Sequence, residues 1–204
     1  MQGSKALKEG GLFFRQWLRS PKSMGSMIPS SRALGRAMAG AVVRRPGQFV
    51  VELGGGTGAI SKGLIEVGIP RDKLLVIELD GELAQFLKQE LDGVRVVQGD
   101  ATRLDEILER LGIEDVGTVI SGLPMVGMPL EFKRAIVERS FEAMGDDGVL
   151  IQYTYAPVPS IPPRTFGLRA QMVAYVFRNI PPASVWRYTR DVADRTGRRM
   201  ERAA

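Results

Sequence analysis

The chain has 204 residues, 44% of them hydrophobic and 25% charged, which is the size and balance of one folded domain. It contains no cysteine and no histidine, so the sequence excludes disulfides, thiolate metal sites, cysteine nucleophiles and Ser-His-Asp triads. The net charge of +5 favours a polyanionic partner, either a nucleic acid or an anionic membrane surface.

Short apolar runs alternate with amphipathic stretches from Gln48 onward, and the runs are bounded by glycine, proline or charged residues. Nearly continuous apolar strands that alternate with helices indicate a parallel sheet covered on both faces. In chain order the pattern predicts a strand at Gln48–Leu53, a helix at 59–67, a strand at Lys73–Leu79, a helix at Gly81–Leu91, a strand at Val94–Gln98, a helix at Asp105–Leu111, a strand at Val116–Ser121, a helix at Leu130–Met144 and a strand at Gly148–Tyr155.

Two further strand-like runs, Met172–Arg178 and Ser184–Arg190, are separated only by residues 179–182. Strands joined so briefly pair antiparallel. The predicted fold class is therefore α/β, with a mostly parallel seven-stranded sheet that ends in a C-terminal antiparallel hairpin. We place the domain at residues 41–204 and treat residues 1–40 as a separate N-terminal segment.

A glycine-rich loop, Gly54–Gly58, directly follows the first predicted strand and precedes a helix. Glycines at this position let the backbone turn sharply and approach a ligand closely. The loop also satisfies the dinucleotide pattern G-x-G-x-x-A, so the motif alone does not identify the cofactor.

Acidic residues stand at or just after the ends of the first three predicted strands, and they distinguish between cofactors. Glu52 can receive a cationic group such as a methionine ammonium, whereas a diphosphate gains nothing from a carboxylate. Glu78 can bind two ribose hydroxyls, and Asp100 can reach an adenine amino group. Three acids beside one glycine loop indicate a site for S-adenosylmethionine.

The series ELGGGTGAI, VIELD, QGDA and SGLP resembles the motifs of the bacterial phospholipid N-methyltransferases, and it is also similar to those of the ribosomal RNA adenine dimethylases. The resemblance extends from about Val50 to Arg190. It implies a Rossmann-like class I methyltransferase fold and S-adenosylmethionine as cofactor, with no metal.

The resemblance also implies roles for individual residues. By this carry-over the methionine part of the cofactor is held by Glu52, Gly54, Gly56 and Gly58, the ribose by Glu78, and the adenine by Asp100 and Ala101. Leu79 and Ser121 are further cofactor-binding candidates, and the catalytic candidates are Ser121 and Tyr153.

The motif after the fourth predicted strand separates lipid from RNA as the acceptor. Adenine dimethylases carry there an asparagine, an apolar residue, a proline and an aromatic residue, which together grip a base. This chain has Ser121-Gly122-Leu123-Pro124-Met125, without the amide and without the aromatic ring, and it is similar to the phospholipid enzymes at SGLP itself. We therefore expect no nucleic-acid substrate.

The segment Lys5–Arg19, wound as a helix, places Phe14 and Trp17 on an apolar face opposite four basic residues, although Leu12 departs from this pattern. A basic face opposite aromatic residues is typical of a helix that lies in a membrane interface. The alternative is a helix that packs on the domain, and Gly10 and Gly11 weaken it as an isolated helix.

Several residues are candidates for contact with the acceptor or the membrane. Tyr155, next but one to Tyr153, can hold a methylated ammonium by cation–π contact, and packing explains both rings equally well. Arg164, in the proline-rich connection 156–169, can meet a lipid phosphate and Phe166 can enter acyl chains, although a plain surface loop fits the same residues.

We therefore expect N-methylation of phosphatidylethanolamine toward phosphatidylcholine by a cytoplasmic protein bound peripherally to the inner face of the cell membrane. Three alternatives fit the same sequence. They are an RNA adenine methyltransferase, a small-molecule or protein N-methyltransferase, and a catalytically silent binding protein of the same fold.

Overall fold

The computed structural model describes residues 31–191, and within this range the chain forms one seven-stranded sheet with the order β3-β2-β1-β4-β5-β7-β6. Strands β1 to β5 are parallel, and β7 pairs antiparallel with both β5 and β6. The strands are Phe49–Leu53 (β1), Leu74–Glu78 (β2), Arg95–Gln98 (β3), Val116–Ser121 (β4), Val149–Thr154 (β5), Leu168–Val176 (β6) and Ala183–Arg190 (β7).

Helices cover both faces of this sheet, and two apolar clusters fill the layers between. In the described range the α-helices are Arg32–Ala39 (α1), Ala59–Glu66 (α2), Gly81–Glu90 (α3), Leu104–Leu111 (α4) and Leu130–Met144 (α5). One cluster joins β1 and β4 to α4 and α5 through side chains such as Ile107, Ile136 and Phe141. The other cluster lies under α1, α2 and α3 and includes Leu34, Leu64 and Leu87. The predicted α/β fold class is confirmed.

The C-terminal hairpin differs from the prediction at its first strand. Strand β6 begins at Leu168 rather than Met172, because Leu168 pairs with Arg190 and the ladder runs to Val176 opposite Ala183. Arg178, predicted as the last residue of this strand, lies in the connection instead. The connection closes through Asn179, whose backbone N–H donates to the Val176 carbonyl at 3.3 Å.

Helix α1 packs tightly against α2 although it belongs to the segment that we set apart as residues 1–40. A Cβ atom on Gly35 would lie 2.3 Å from the Ala59 carbonyl oxygen, so the two helix backbones approach as closely as glycine allows. Leu34 and Met38 are fully buried. The described part of the N-terminal segment, residues 31–40, is therefore part of the domain core.

The predicted amphipathic helix Lys5–Arg19, with Phe14 and Trp17, lies outside the described residues, as does the tail beyond Asp191. None of the helices between residues 31 and 191 is long and apolar enough to span a membrane.

Candidate active site

The sheet order places a crevice at the carboxyl ends of β1 and β4. These two strands are neighbours, yet the chain continues from β1 toward β2 on one side and from β4 toward β5 on the other. In open α/β sheets, ligands bind where the strand order reverses in this way. Every acid and glycine predicted to bind the cofactor lies at this edge, which we call the cofactor edge.

The glycine loop turns from β1 into α2 at the crevice. Gly54, Gly56 and Gly58 all have positive φ angles, which favour glycine. A Cβ atom on Gly56 would meet nothing within 4 Å, so the backbone there faces open space. Gly58 is the N-cap of α2 and supplies no side-chain hydrogen bond to it. The first turn of α2 is therefore not capped by a side chain, and the Ser61 backbone N–H lies toward Glu52.

Glu52 is a buried carboxyl group directly below this loop. Its Oε2 accepts a 2.6 Å hydrogen bond from the Ser61 hydroxyl, whereas Oε1 is buried without a hydrogen-bond partner among the described residues. Burial raises the pKa of Glu52 to about 8, with a further contribution from the nearby charge of Glu78, while the Ser61 hydrogen bond opposes the shift. An unpartnered buried carboxyl oxygen fits a ligand that brings a cation, such as the methionine ammonium group.

Glu78 ends β2 and holds the glycine loop in place. Its Oε2 accepts a 2.8 Å hydrogen bond from the Gly56 N–H, and its Oε1 accepts one of 2.9 Å from the Asp80 N–H. Each carboxylate oxygen has a second lone pair, so Glu78 can also accept the hydrogen bonds from ribose hydroxyls that the resemblance implies. The loop contact itself was not predicted from the sequence. Leu79 follows, half-buried against the core.

Asp100 and Ala101 lie just beyond the end of β3. Asp100 caps the short 3-10 turn Ala101–Arg103, since its Oδ1 accepts from the Thr102 N–H at 2.9 Å and from the Thr102 hydroxyl at 2.7 Å. Ala101 is buried against α4 and α5. The capping contacts use a single oxygen of Asp100, and they fix the side chain at the same edge as Glu78.

The segment after β4 is pressed against the glycine loop. Ser121 is fully buried, and the Gly122 N–H donates to the Leu53 carbonyl at 2.8 Å. A Cβ atom on Gly122 would lie 2.6 Å from the Gly54 carbonyl oxygen. Met125 is 1% exposed and belongs to the core. This backbone has no room for an asparagine at Gly122, and position 125 offers no exposed face on which a base can stack.

Gln152 on β5 stabilises this segment, and it was not predicted from the sequence. It pairs in register with Ser121, and its Nε2 donates to the carbonyls of Leu123 and Tyr153 at 3.0 and 2.8 Å. Its Oε1 is buried without a hydrogen-bond partner in the described part of the chain. A single amide inside the apolar run GVLIQYTY was the available signal, because a buried amide needs partners.

Tyr153 and Tyr155 lie at and just beyond the end of β5, with ring centroids 5.6 Å apart in an edge-to-face arrangement. Tyr153 is half-buried on the sheet face that carries α1 and α2, and Ser121 points to the opposite face, where Val119 packs. Tyr155 is exposed, and partial burial of its hydroxyl raises its pKa to about 12. The hydroxyl of Tyr155 therefore stays protonated at neutral pH.

Arg164 is exposed on the 3-10 turn Pro163–Phe166, which leads into β6 at Leu168. Leu168 pairs with Arg190 at the edge of the sheet opposite the cofactor edge. Phe166 packs against the core, with the Arg134 guanidinium 5.4 Å from its ring centre. The structure thus brings the cofactor candidates, Ser121 and the two tyrosines to one edge, and it places Arg164 and Phe166 elsewhere.

No protein-family model matches the chain. Among curated proteins, the chain is 30% identical over 185 residues to the ornithine lipid N-methyltransferase of Singulisphaera acidiphila, covering 88% of this chain and 95% of that protein. It is 27% identical over 186 residues to ribosomal RNA small subunit methyltransferase A of Methylibium petroleiphilum, covering 78% and 70%. Among solved structures, the glycopeptide N-methyltransferase MtfA complexed with S-adenosylmethionine has a TM-score of 0.57 and 12% identity, with 81% of this chain and 96% of that chain covered.

Proposed function

The chain belongs to the same family as the ornithine lipid N-methyltransferase, within the S-adenosylmethionine-dependent class I methyltransferases, and we propose that it methylates the amine of phosphatidylethanolamine at a membrane surface. The observation that carries the choice of a lipid is the match along 95% of a lipid N-methyltransferase. The segment after β4 supports this choice, because Gly122 and Met125 cannot supply a base-binding amide and ring.

In this proposal the chain's own residues hold and orient the methyl donor. When bound, S-adenosylmethionine supplies a methyl group on a positively charged sulfur, which already makes it strongly electrophilic. Glu52 receives the ammonium group and Gly54–Gly58 line the methionine part. Glu78 binds the ribose while it holds the loop at Gly56, and Asp100 with Ala101 bounds the adenine. Alignment of the acceptor nitrogen with the methyl group and the sulfur, together with exclusion of water, then accounts for most of the acceleration of methyl transfer.

The acceptor amine enters at the ends of β4 and β5 beside Tyr153. Ser121 is fully buried on the opposite face of the sheet, where its hydroxyl accepts from the Leu123 N–H, so it does not contact the amine. The amine must lose its proton before it can attack, and the chain has no histidine to accept that proton. Three groups are candidates to take up this proton: water, the lipid phosphate and Tyr153. Tyr153 and Tyr155 also offer ring faces and edges to the methylated ammonium that accumulates as methyl groups are added.

The membrane location rests on the N-terminal segment. Its predicted basic and aromatic faces favour reversible adhesion to an anionic surface on the cytoplasmic side, with about 1 kcal/mol for each basic residue near the surface. Removal of residues 1–19 should abolish binding to anionic vesicles and leave cofactor affinity nearly unchanged, because the glycine loop and the acids begin at Glu52. Unchanged sedimentation of the truncated chain with vesicles would contradict this role.

Two other acceptors have a specific observation in their favour. The similarity to ribosomal RNA small subunit methyltransferase A, over 70% of that protein, makes RNA adenine the second candidate. The amine of an ornithine lipid is the acceptor that the name of the first relative indicates. Both lipids present an amine at a bilayer surface, so one membrane-bound enzyme can reach either.

The experiment that identifies the lipid offers labelled S-adenosylmethionine and vesicles in which a single lipid carries an amine. We expect label in phosphatidylethanolamine, with mono-, di- and trimethyl products separated by chromatography. Label confined to vesicles that contain ornithine lipid would replace the proposed acceptor. The Glu78→Ala variant, which loses charge-assisted hydrogen bonds worth about 1.5–3 kcal/mol each, serves as the control for cofactor-dependent transfer.

A further inference from the structure

The connection between β6 and β7, residues 177–182, lies at the cofactor edge. Thr154, the last residue of β5, pairs with Ser184, and Val176, the last residue of β6, pairs with Ala183. The carboxyl end of β5 and the turn of the hairpin are therefore adjacent. We call residues 177–182 the hairpin tip.

The hairpin tip and its surroundings expose large apolar side chains. Phe177 is 78% exposed and Ile180 is 75% exposed, the two highest values among the exposed large hydrophobic residues of the described chain. Tyr175 stacks edge-to-face on Phe177 with 4.7 Å between ring centroids. Val158 and Tyr155, in the segment that follows β5, are also exposed. Clustered exposed apolar side chains at one edge indicate an interaction surface.

The tip presents these side chains from a well-tied turn. Asn179 lies at its centre and is 2% exposed. The Asn179 Nδ2 donates to the Pro181 carbonyl at 2.7 Å, and its Oδ1 accepts from the Ser31 N–H at 3.0 Å. The residues on either side of Asn179, Arg178 and Ile180, are exposed while the amide is held inside.

The hairpin tip itself carries a positive charge and no acid. Residues 177–182 contain one arginine, Arg178, and no aspartate or glutamate. Arg178 stands in the tip between Phe177 and Asn179 and forms no ion pair within the described residues. An apolar tip with a free arginine and no acid complements an anionic bilayer.

The first described residue also meets the hairpin tip. The Ser31 N–H donates to the Asn179 Oδ1 at 3.0 Å, so the described part of the chain begins beside this tip. Residues 1–30 contain five basic residues and one acid, the same sign of charge as Arg178, which disfavours them as a cover for the tip. Both can face one anionic surface together.

We propose that the hairpin tip inserts its apolar side chains into the interface of an anionic bilayer and turns the cofactor edge toward the lipid headgroups. This inference rests on the proposed function, because only an enzyme that acts on lipid has a reason to turn its active-site edge toward a membrane. A bilayer fits the tip better than single-stranded RNA does. Bases stack on aromatic and guanidinium groups, whereas this surface also exposes the aliphatic Ile180 and Val158 and two prolines.

The test uses the full chain with Trp17→Phe, which leaves Trp186 as a constant fluorescent background. Phe177→Trp is added in one protein and Val67→Trp in its control. Val67 is 48% exposed at the end of α2, at the opposite edge of the sheet. With anionic vesicles that contain brominated lipid, the tryptophan introduced at position 177 should be quenched and shift to shorter wavelength, because interfacial insertion reaches about 5–10 Å deep. The tryptophan introduced at position 67 should not change.

A second pair measures the contribution to binding. Partition into anionic vesicles should fall about tenfold for Phe177→Ser with Ile180→Ser, because their buried apolar area is lost. It should not fall for Val43→Ser with Val67→Ser. Equal partition of the two double variants, or no quenching at position 177, would overturn the proposal. Two other results would overturn it. A tryptophan introduced at position 177 that is already shielded without vesicles would indicate that a second copy or the N-terminal segment covers the tip. Quenching of that tryptophan by RNA and not by vesicles would indicate an RNA surface.

Methyl transfer by the unaltered chain separates this inference from the proposed function. Quenching at position 177 without transfer to any lipid would refute the proposed function and leave the membrane surface standing. Transfer to vesicle lipid without quenching would refute the membrane surface alone.

Discussion

Glu52 combines burial, a single hydrogen bond from Ser61 and an unpartnered oxygen at the centre of the candidate site. Without a ligand this carboxyl group is mostly protonated at neutral pH, since burial raises its pKa to about 8. A cation placed at Oε1 favours the charged form and lowers the pKa again. Binding of a cationic ligand group is therefore coupled to the release of a proton from Glu52.

The first prediction follows from this coupling. Affinity for S-adenosylmethionine should rise with pH between about pH 6 and about pH 8, by at most about tenfold per unit, because the bound state carries fewer protons than the free state. Glu52→Gln should remove this dependence and retain the Ser61 contact. Calorimetry in two buffers of different ionisation enthalpy measures the released proton directly. A parent chain as insensitive to pH as Glu52→Gln would show that the cation does not reach this carboxyl group.

Gly122 allows a test of the contact between the segment after β4 and the glycine loop. Gly122→Ala places a Cβ atom 2.6 Å from the Gly54 carbonyl oxygen, so the glycine loop or the segment after β4 must move. We expect a loss of about 1–3 kcal/mol in the free energy of unfolding, together with weaker cofactor binding. Denaturant titration and calorimetry measure the two effects. Normal stability and normal cofactor affinity in this variant would mean that the two segments are not in contact.

Individual residues differ in how far the sequence alone predicts them. Glu52, Glu78 and Asp100 could be placed at strand ends because their positions depend only on local pattern. The structure adds contacts that depend on distant partners, such as Gln152 with the Leu123 carbonyl and Glu78 with the Gly56 N–H. No periodicity encodes which backbone group lies across a crossover, so these contacts could not be predicted.

At the scale of elements, strand and helix positions follow the apolar pattern closely, with β4 at Val116–Ser121 and α5 at Leu130–Met144 as predicted. The start of β6 at Leu168 was missed because the proline-rich stretch before it hides the strand, whereas the ladder is set by its pairing with β7. Helix α1 was not predicted as a core element. Leu34 and Met38 are buried because Gly35 lets α1 approach α2 closely, and that contact depends on a distant partner.

The contact between α1 and α2 is testable by substitution of its glycine. Gly35→Ala should lower the free energy of unfolding by about 1–3 kcal/mol, because its Cβ atom would meet the Ala59 carbonyl at 2.3 Å. Gly40→Ala, at the end of the same helix, is the matched control. Its φ of −65° suits alanine and its nearest contact is 3.4 Å, so it should be neutral or slightly stabilising. Denaturant titration compares the two, and equal midpoints would contradict the close packing of α1.

For the whole molecule, the order of strands determines what lies near the cofactor. The sequence predicts a parallel sheet and a terminal hairpin, but it does not show that the turn of the hairpin returns to the cofactor edge. That follows from the pairing of Thr154 with Ser184. The same pairing brings Tyr155, the hairpin tip and the first described residue, Ser31, together at one edge. A site for a lipid headgroup and a surface for its bilayer can therefore share one side of the domain.

A competition assay decides between lipid and RNA as the methyl acceptor. The full chain receives labelled S-adenosylmethionine together with vesicles of phosphatidylethanolamine and an anionic lipid, and with ribosomal RNA in the same tube. We expect the label in the lipid amine and none in the RNA, because Gly122 leaves no room for a base-binding amide. Label in RNA adenine, with the lipid unlabelled, would contradict the account and assign the chain to the RNA methyltransferases.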